Sequence, residues 1–181
     1  MGEDATAALV KQALAGNARA YEVLVRRHLR AAYAVALAVL RVPAEAEDVA
    51  QEALVVAWEQ LSECREPAAF SGWLMNIARN QAKNVLARRK VRADFAARPQ
   101  GDDAPGEPVT AVVDARGQLL RALEALDERQ REVVLLHDLE GWSHAEIAAA
   151  LSLSEVNSRQ LLFTARKTMR ALLSPQEVAH E

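Results

Sequence analysis

Apolar residues recur every three or four positions along most of this chain, a spacing that is typical of helices with one buried side. Prolines, glycines and short polar residues interrupt the pattern at the points where helices begin or end. The pattern predicts helices over residues 5–15, 17–41, 43–61, 70–92, 111–126, 128–140, 143–151 and 154–173. The sequence therefore predicts an all-α fold.

Residues 93–110 break this pattern. They hold three prolines, two glycines and the pair Asp102-Asp103, a composition that is typical of a flexible linker. About eighteen such residues would be unusual inside one compact domain. We therefore expect two small helical domains, residues 5–92 and 111–173, joined by the linker and followed by a frayed tail at 174–181.

The last two predicted helices have the signature of a helix-turn-helix. Ser143 can cap the first of them, and Glu146 stands three residues later, as in a capping box. Ser152-Leu153 makes the turn, and Ser154 can cap the second helix. In DNA-binding proteins of this kind, the second helix enters the major groove.

The second helix of this motif has two different sides. One side carries mainly apolar residues and should be buried: Ser158, Leu161, Leu162, Ala165, Met169 and Leu172. The other side carries cations and one aromatic ring: Arg159, Phe163, Arg166, Lys167 and Arg170. An ordinary amphipathic helix with a solvated basic face remains an alternative at this point. Phe163 either contacts a thymine methyl group or is buried against a neighbouring helix.

Composition excludes several classes of protein. Of the 181 residues, 51 % are apolar and 4 % aromatic, and seven are glycine, which suits a helical core. No apolar run approaches ~18 residues, so no membrane insertion is expected. The single Cys64 cannot form an internal disulfide, which suits the cytoplasm. The histidines lack metal-ligand spacing, and no phosphate loop or nucleophile motif appears, so we expect no catalytic residue, metal or cofactor.

Positive charge is concentrated in one segment, although the net charge of the chain is −3. Residues 79–100 carry seven basic side chains and one acidic side chain. Within this basic segment, Asn80, Lys83, Asn84 and Arg88 recur at helical spacing. Lysine and arginine can hold phosphates, and asparagine can hydrogen-bond a base edge. This face therefore predicts a second contact with DNA.

Three segments in order resemble the extracytoplasmic-function sigma factors of bacterial RNA polymerase. AEDVAQEALVVAW (46–58) resembles their polymerase-binding helix, and FSGWLMNIARNQAKNVL (70–86) resembles their helix for the promoter −10 element. LDERQREVVLLHDLEGWSHAEIAAALSLS (126–154) is similar to their −35-binding domain. The resemblance implies a non-enzymatic subunit that binds core RNA polymerase and directs promoter-specific transcription initiation. It also implies an anti-sigma protein as a partner.

The resemblance assigns roles to residues at matching positions. Asp48, Gln51 and Glu52 would bind core polymerase. Asn80, Lys83, Asn84 and Arg88 would contact the −10 element, and the Ser62–Ala69 loop would accept a flipped base. Arg159, Phe163, Arg166 and Lys167 would contact the −35 element. Trp58 and Trp73 are expected in the core.

The recognition helix departs from the family pattern at two positions. Leu161 replaces a basic residue, and Thr164 replaces a frequent arginine, so fewer phosphate contacts and a shallower salt dependence are expected. These changes leave room for a sigma mimic that binds an anti-sigma protein and frees the true sigma factor. A polymerase-independent helix-turn-helix regulator is a third reading, although it gives the acidic residues at 45–52 no role.

Overall fold

The computed structural model describes residues 3–96 and 115–173, and every regular element in these two ranges is helical. This confirms the all-α prediction. The helices are α1 (Glu3–Leu14), α2 (Ala18–Leu40), α3 (Pro43–Glu59), α4 (Phe70–Ala96), α5 (Ala115–Glu124), α6 (Glu128–Val134), α7 (His144–Leu151) and α8 (Glu155–Leu173). The expected tail and most of the expected linker lie outside the described residues. No helix in the described ranges is long and apolar enough to cross a membrane.

Local sequence signals set the helix boundaries of the first domain. Gly16 has a φ of +91°, and the Asn17 side chain accepts a hydrogen bond from the Ala20 N–H at 3.3 Å at the start of α2. Arg41 closes α2 in the left-handed conformation, and Pro43 opens α3 at its first turn. Helix α4 runs to Ala96, four residues beyond the predicted end.

The first domain is built around α2, which packs against α1, α3 and α4. Leu24, Phe70, Leu74 and Met75 are fully buried there. His28 lies in the same core. Its Nδ1 stands 2.9 Å from the Leu24 carbonyl, which can only accept, so this nitrogen carries the proton. The neutral ring then accepts a hydrogen bond at Nε2 from the Ser71 hydroxyl, 3.0 Å away.

The second domain is a smaller bundle of α5 to α8. After α6 the helix continues as a π-helical turn over Leu135–Leu139, and α7 and α8 follow as the helix-turn-helix. Its core is apolar side chains with no exposed surface or almost none: Val133, Leu136, Ile147, Leu151 and Leu162. This packing fixes the angle at which α8 is presented.

The last part of α2 is buried on every side. Residues 34–40 are all buried, although consecutive residues of a helix point in all directions. Helices α3 and α4 cover one side, whereas α6 and the π-helical turn of the second domain cover another. The buried apolar residues of the two domains therefore form one contiguous core. The sequence predicted two separate domains, and nothing in its periodicity indicated that they pack together.

Candidate nucleic-acid interface

The outer face of α4 presents the four predicted polar residues together. Asn80, Lys83, Asn84 and Arg88 are all exposed and form one stripe along the helix. The opposite side of α4 is apolar and buried, with Leu74, Ala78 and Ala82 against the core. Core packing therefore fixes which way the stripe points. It combines two amide groups and two cations within reach of one another.

Part of the predicted basic segment is occupied by ion pairs. The Lys83 Nζ lies 3.2 Å from a carboxylate oxygen of Glu128 in the second domain. Arg89 donates from its Nε to Glu45 of α3 at 3.1 Å. Arg79 is buried and its Nε pairs with Glu132 of α6 at 2.7 Å, so it belongs to the contact between the domains rather than to the surface. The exposed basic surface is thus smaller than the sequence indicates, although the four stripe residues remain on it.

The loop before α4 contains two short 3-10 turns, Leu61–Glu63 and Pro67–Ala69. Between them lies Cys64, whose side chain is buried and whose thiol approaches the Glu66 carbonyl at 3.5 Å. Burial raises the pKa of this thiol and so keeps it protonated and unreactive. The prediction that the Ser62–Ala69 loop accepts a base remains a prediction.

The helix-turn-helix forms with the expected caps. Ser143 Oγ accepts a hydrogen bond from the Glu146 N–H at 3.3 Å, and the Glu146 carboxylate accepts one from the Ser143 N–H at 2.8 Å. The Glu146 carboxylate accepts hydrogen bonds from both the N–H and the hydroxyl of Ser143, and these hold the pKa of Glu146 below its usual value. Ser152 closes α7 in the left-handed conformation, with a φ of 55°. Ser154 accepts a hydrogen bond from the Asn157 N–H at 3.1 Å, so both helices of the motif are capped.

The outer face of α8 carries the predicted cations and an exposed ring. Phe163 is 73 % exposed, so the alternative that it is buried is wrong. Arg159 and Lys167 are exposed beside it, and Arg159 pairs with Glu155 at 2.7 Å. Val156, which sequence reasoning overlooked, is 70 % exposed on the same helix. Leu172 was expected to be buried but is 56 % exposed, because it lies in the last turn of α8, beyond the helices that cover Leu162 and Ala165.

Arg166 is held by a carboxylate that the sequence did not single out. Its guanidinium forms two hydrogen bonds with Asp138 of the π-helical turn, one of them from Nε at 3.1 Å. His137 Nδ1 lies 2.9 Å from the same carboxylate. Partial burial would raise the pKa of Asp138, but the hydrogen bonds from Arg166 and His137 outweigh it and hold this pKa below its usual value. The pair fixes the direction of the Arg166 side chain.

The two departures on α8 have structural explanations. Leu161 is partly buried and packs against the core, so it widens the apolar side of α8 as expected. The Thr164 hydroxyl donates to the Gln160 carbonyl at 3.0 Å within the helix. Neither side chain supplies a cation. The outer face of α8 thus depends on Arg159, Arg166 and Lys167 for its positive charge, with Arg170 following in the last turns.

A third exposed face lies on α3. Asp48, Gln51 and Glu52 are exposed, and Val55 continues the face with 56 % of its surface exposed. Trp58 ends it. The expectation that Trp58 is in the core is wrong, since the side chain is 42 % exposed and packs by one side on Tyr21, with ring centroids 4.7 Å apart. Trp73, by contrast, is partly buried beside Phe70. A face that mixes acidic, amide and apolar groups suits a protein partner.

Comparisons with known proteins cover both exposed helix faces, the stripe on α4 and the outer face of α8. Family models described as Sigma-70 region 2 and Sigma-70, region 4 match residues 24–92 and 116–169. The RNA polymerase sigma factor CnrH of Cupriavidus metallidurans is 35 % identical over 94 % of this chain and 95 % of its own length. The ECF RNA polymerase sigma-E factor of Escherichia coli is 31 % identical over 92 % of this chain and 93 % of its own.

Two further comparisons concern length and shape. The probable RNA polymerase sigma factor RfaY of Xanthomonas campestris is 35 % identical over 87 % of this chain, which spans 41 % of that longer protein. The solved structure of CnrH in complex with the cytosolic domain of CnrY aligns with a TM-score of 0.65 and 29 % identity. That alignment covers 93 % of this chain and 97 % of the solved chain.

Proposed function

Because this chain belongs to the extracytoplasmic-function sigma factors of the sigma-70 family, we propose that its three exposed faces each bind a different partner. These factors direct promoter-specific transcription initiation by RNA polymerase. The stripe on α4 reads the −10 element, the outer face of α8 reads the −35 element, and the face on α3 binds core polymerase. The observation that carries the proposal is the pair of exposed polar and basic helix faces, one on each domain of a single chain.

The α4 stripe has the chemistry that an unpaired promoter strand requires. Lys83 and Arg88 neutralise phosphates, whereas the amides of Asn80 and Asn84 can donate to and accept from base edges. A melted strand exposes those edges, so a short stripe can select bases without entering a groove. The neighbouring Ser62–Ala69 loop receives the flipped base. The chain itself makes and breaks no covalent bond in this role, so it acts as an initiation factor and not as an enzyme.

The outer face of α8 suits the major groove. Arg159, Arg166 and Lys167 supply phosphate or guanine contacts, and the exposed Phe163 ring can pack against a thymine methyl group. Because Asp138 orients Arg166, this contact is set before DNA arrives. Because the face has only three principal cations, the second domain alone binds DNA weakly. Polymerase is therefore needed to bring both the α4 stripe and the outer face of α8 to the promoter.

The face on α3 supports polymerase binding by its composition. Asp48 and Glu52 offer acidic groups, Gln51 offers an amide, and Val55 and Trp58 add exposed apolar surface. Protein interfaces commonly have an apolar centre with a polar rim. CnrH was solved with a second protein bound, and we extend to this chain a regulatory anti-sigma partner acting in the cytoplasm.

Run-off transcription with purified core polymerase tests the proposed function. The protein should direct start sites on fragments of its own genome, whereas the sigma-mimic reading expects none. Arg159→Ala should weaken promoters through the −35 element and lower the salt-dependence slope by about 0.9. Asn84→Ala should impair −10 selection or melting. Both variants should bind core polymerase normally, whereas Glu52→Lys should lose that binding.

Matched controls are available in the first domain. Arg26 pairs with Glu22 at 2.6 Å on an exposed part of α2, just as Arg159 pairs with Glu155 on α8. Arg26→Ala therefore removes an equivalent exposed ion pair outside all three faces and should leave promoter use unchanged. If Arg159→Ala and Asn84→Ala lose core polymerase binding instead, the faces have been assigned wrongly.

A further inference from the structure

Three uncharged side chains form the part of α8 that points furthest from the core. Ser158 and Leu162 mark the buried side of the helix. At about 100° per residue, the opposite direction passes through Val156, Gln160 and Phe163, which are all exposed. We call these three residues the α8 ridge. Gln160 is its central member and the one that points most directly away from the core.

Two of the cations of α8 lie to one side of this ridge. Arg159 is held by Glu155 at 2.7 Å, and Arg166 is held by Asp138 of the π-helical turn at 3.1 Å. Both arginines are turned roughly 100–120° from Gln160 about the helix axis. Base edges form the floor of the major groove, and contacts with phosphates fix the position of a protein without selecting a sequence. A helix with cations on its flank and uncharged groups at its centre therefore directs the centre to base edges.

Gln160 also lies at the right height on the helix. It belongs to the second turn of α8, and the N-terminal turns of a recognition helix are the ones that contact bases. Val156 lies about 6 Å before it and Phe163 about 4.5 Å after it along the axis. Since base pairs are stacked about 3.4 Å apart, the ridge can contact neighbouring base pairs. Lys167 follows about 10 Å beyond Gln160, where it can hold a phosphate.

The side-chain amide of Gln160 is free to bind a base. The Thr164 hydroxyl donates to the main-chain carbonyl of Gln160 at 3.0 Å, and among the described residues none binds the side-chain amide. An amide can accept from the N6 amino group of adenine and donate to its N7 at the same time. Guanine presents two acceptors at these positions and so leaves the amide oxygen without a donor. Adenine is therefore the base that satisfies both ends of the amide.

We propose that Gln160 reads an adenine in the −35 element, and that Val156 and Phe163 pack against thymine methyl groups at neighbouring base pairs. The assignment rests on the −35 role proposed for α8 and names the bases which that role selects. The arginines on the flank of α8 hold the phosphate backbone and set the position of the helix in the groove.

Selection from randomised promoters tests the assignment. A promoter that the full-length protein uses is randomised throughout its −35 element, transcribed by core polymerase with the protein bound, and the templates of the transcripts are sequenced. The wild type should favour adenine at one position by about fivefold to 150-fold, which corresponds to the 1–3 kcal/mol of a bidentate contact. Gln160→Ala should lose the adenine preference at that position and keep the preferences at all others.

Two further substitutions should change the selected base. Arginine pairs with both acceptors of guanine, and glutamate accepts from the N4 amino group of cytosine. Gln160→Arg should therefore select guanine at the same position, and Gln160→Glu should select cytosine. The two variants change the charge of the helix in opposite directions, so a charge effect alone cannot produce both results. Because Gln160 is exposed, both should keep the wild-type circular dichroism spectrum.

A modified base and a matched variant isolate the contact. Replacing the selected adenine by 7-deazaadenine removes the N7 acceptor, so it should weaken binding of the wild-type polymerase complex about fivefold and leave Gln160→Ala unaffected. Asn157→Ala removes an exposed amide from the same helix, about 60° away from Gln160. It should change the base preference at no position.

The base assignment and the −35 role fail in different ways. If the wild type enriches a −35 sequence and Gln160→Ala keeps every preference, Gln160 does not read a base, although α8 still does. If the preference that Gln160→Ala loses is for a base other than adenine, the adenine contact is overturned. If the wild type enriches no −35 sequence, the −35 role of α8 fails and the assignment fails with it.

Discussion

Replacing Arg79 with leucine should separate the two domains without unfolding either one. The substitution leaves the Glu132 carboxylate, which is fully buried, with Arg129 as its remaining partner. It also removes the Arg79 Nη2, a buried atom without a hydrogen-bond partner among the described residues. The variant therefore loses a strong ion pair and keeps the apolar packing at the contact.

The magnitude follows from the burial of the pair. Breaking a buried ion pair by removing one partner costs roughly 3–5 kcal/mol. Arg129 still pairs with Glu132, so we expect the lower end, about 3 kcal/mol. The loss in the free energy of unfolding cannot exceed the free energy with which the two domains pack together. Once burial of the unpaired carboxylate costs more than this packing contributes, the domains separate and water solvates Glu132.

Equilibrium urea unfolding followed by circular dichroism measures this effect. The two wild-type domains should unfold in one transition, whereas Arg79→Leu should show two. In the variant, the free energy of unfolding of the first domain should be close to that of this domain without the second. The double variant Arg79→Leu/Glu132→Leu should regain a single transition, because an apolar pair can replace a buried ion pair at little cost. The coupling free energy between the two positions should be about 1 kcal/mol or more.

Arg26→Ala provides the control for the loss of an arginine. Its pair with Glu22 is exposed, and its removal should change the free energy of unfolding by less than about 1 kcal/mol. The reasoning is refuted if Arg79→Leu unfolds in one transition with a free energy within about 0.5 kcal/mol of the wild type. It is also refuted if the two single substitutions are simply additive.

Two further predictions concern the −35 reader and the first-domain core. Replacing thymines of the −35 element by deoxyuridine should weaken binding of the polymerase complex by about 0.8 kcal/mol per contacted methyl group. The Phe163→Ala variant should bind the two DNAs equally well. If the variant and the wild type distinguish thymine from deoxyuridine to the same extent, Phe163 does not contact the methyl group. Burial lowers the pKa of His28, against the opposing hydrogen bond to Leu24. Because the unfolded chain then binds the proton more readily, the free energy of unfolding should fall as the pH drops below about 6.5, by at most about 1.4 kcal/mol per pH unit. His28→Gln should flatten this dependence between pH 7.5 and 5.5, and an unchanged slope would show that His28 does not cause it.

The sequence predicts the secondary structure well because the signals for it are local. The capping box at Ser143 and Glu146, the Asn17 boundary and the opening of α3 at Pro43 each depend on a few neighbouring residues. The exposed stripe on α4 is equally local, since helical spacing decides which residues share a face. The prediction that Trp58 is buried is wrong because it depends on the size and apolar character of the side chain alone. Tertiary packing decides that only one side of the ring is covered, by Tyr21.

The contact between the domains could not be predicted by the same reasoning. Arg79 reads as one more cation in a basic segment, and Glu132 as one more acid on an amphipathic helix. Their pairing joins positions that lie 53 residues apart in the chain. At Gly72 of α4 an added Cβ atom would lie 3.1 Å from the Ala149 carbonyl oxygen of α7. The sequence gives a weak signal of this, because a glycine inside a strongly helical pattern indicates a close approach by another backbone. Asp138 gives no signal in the sequence, because its role depends on the π-helical turn that directs its carboxylate towards Arg166.

The buried thiol of Cys64 gives this chain a built-in chemical probe of its own loop. A thiol reacts with alkylating reagents as the exposed thiolate, and here burial and a raised pKa oppose both conditions. The wild-type rate of alkylation therefore measures how often the segment between Leu61 and Phe70 opens. With the base-accepting role proposed for this loop, promoter DNA should change that rate, and the reactivity of one natural side chain would then follow promoter opening without any introduced label.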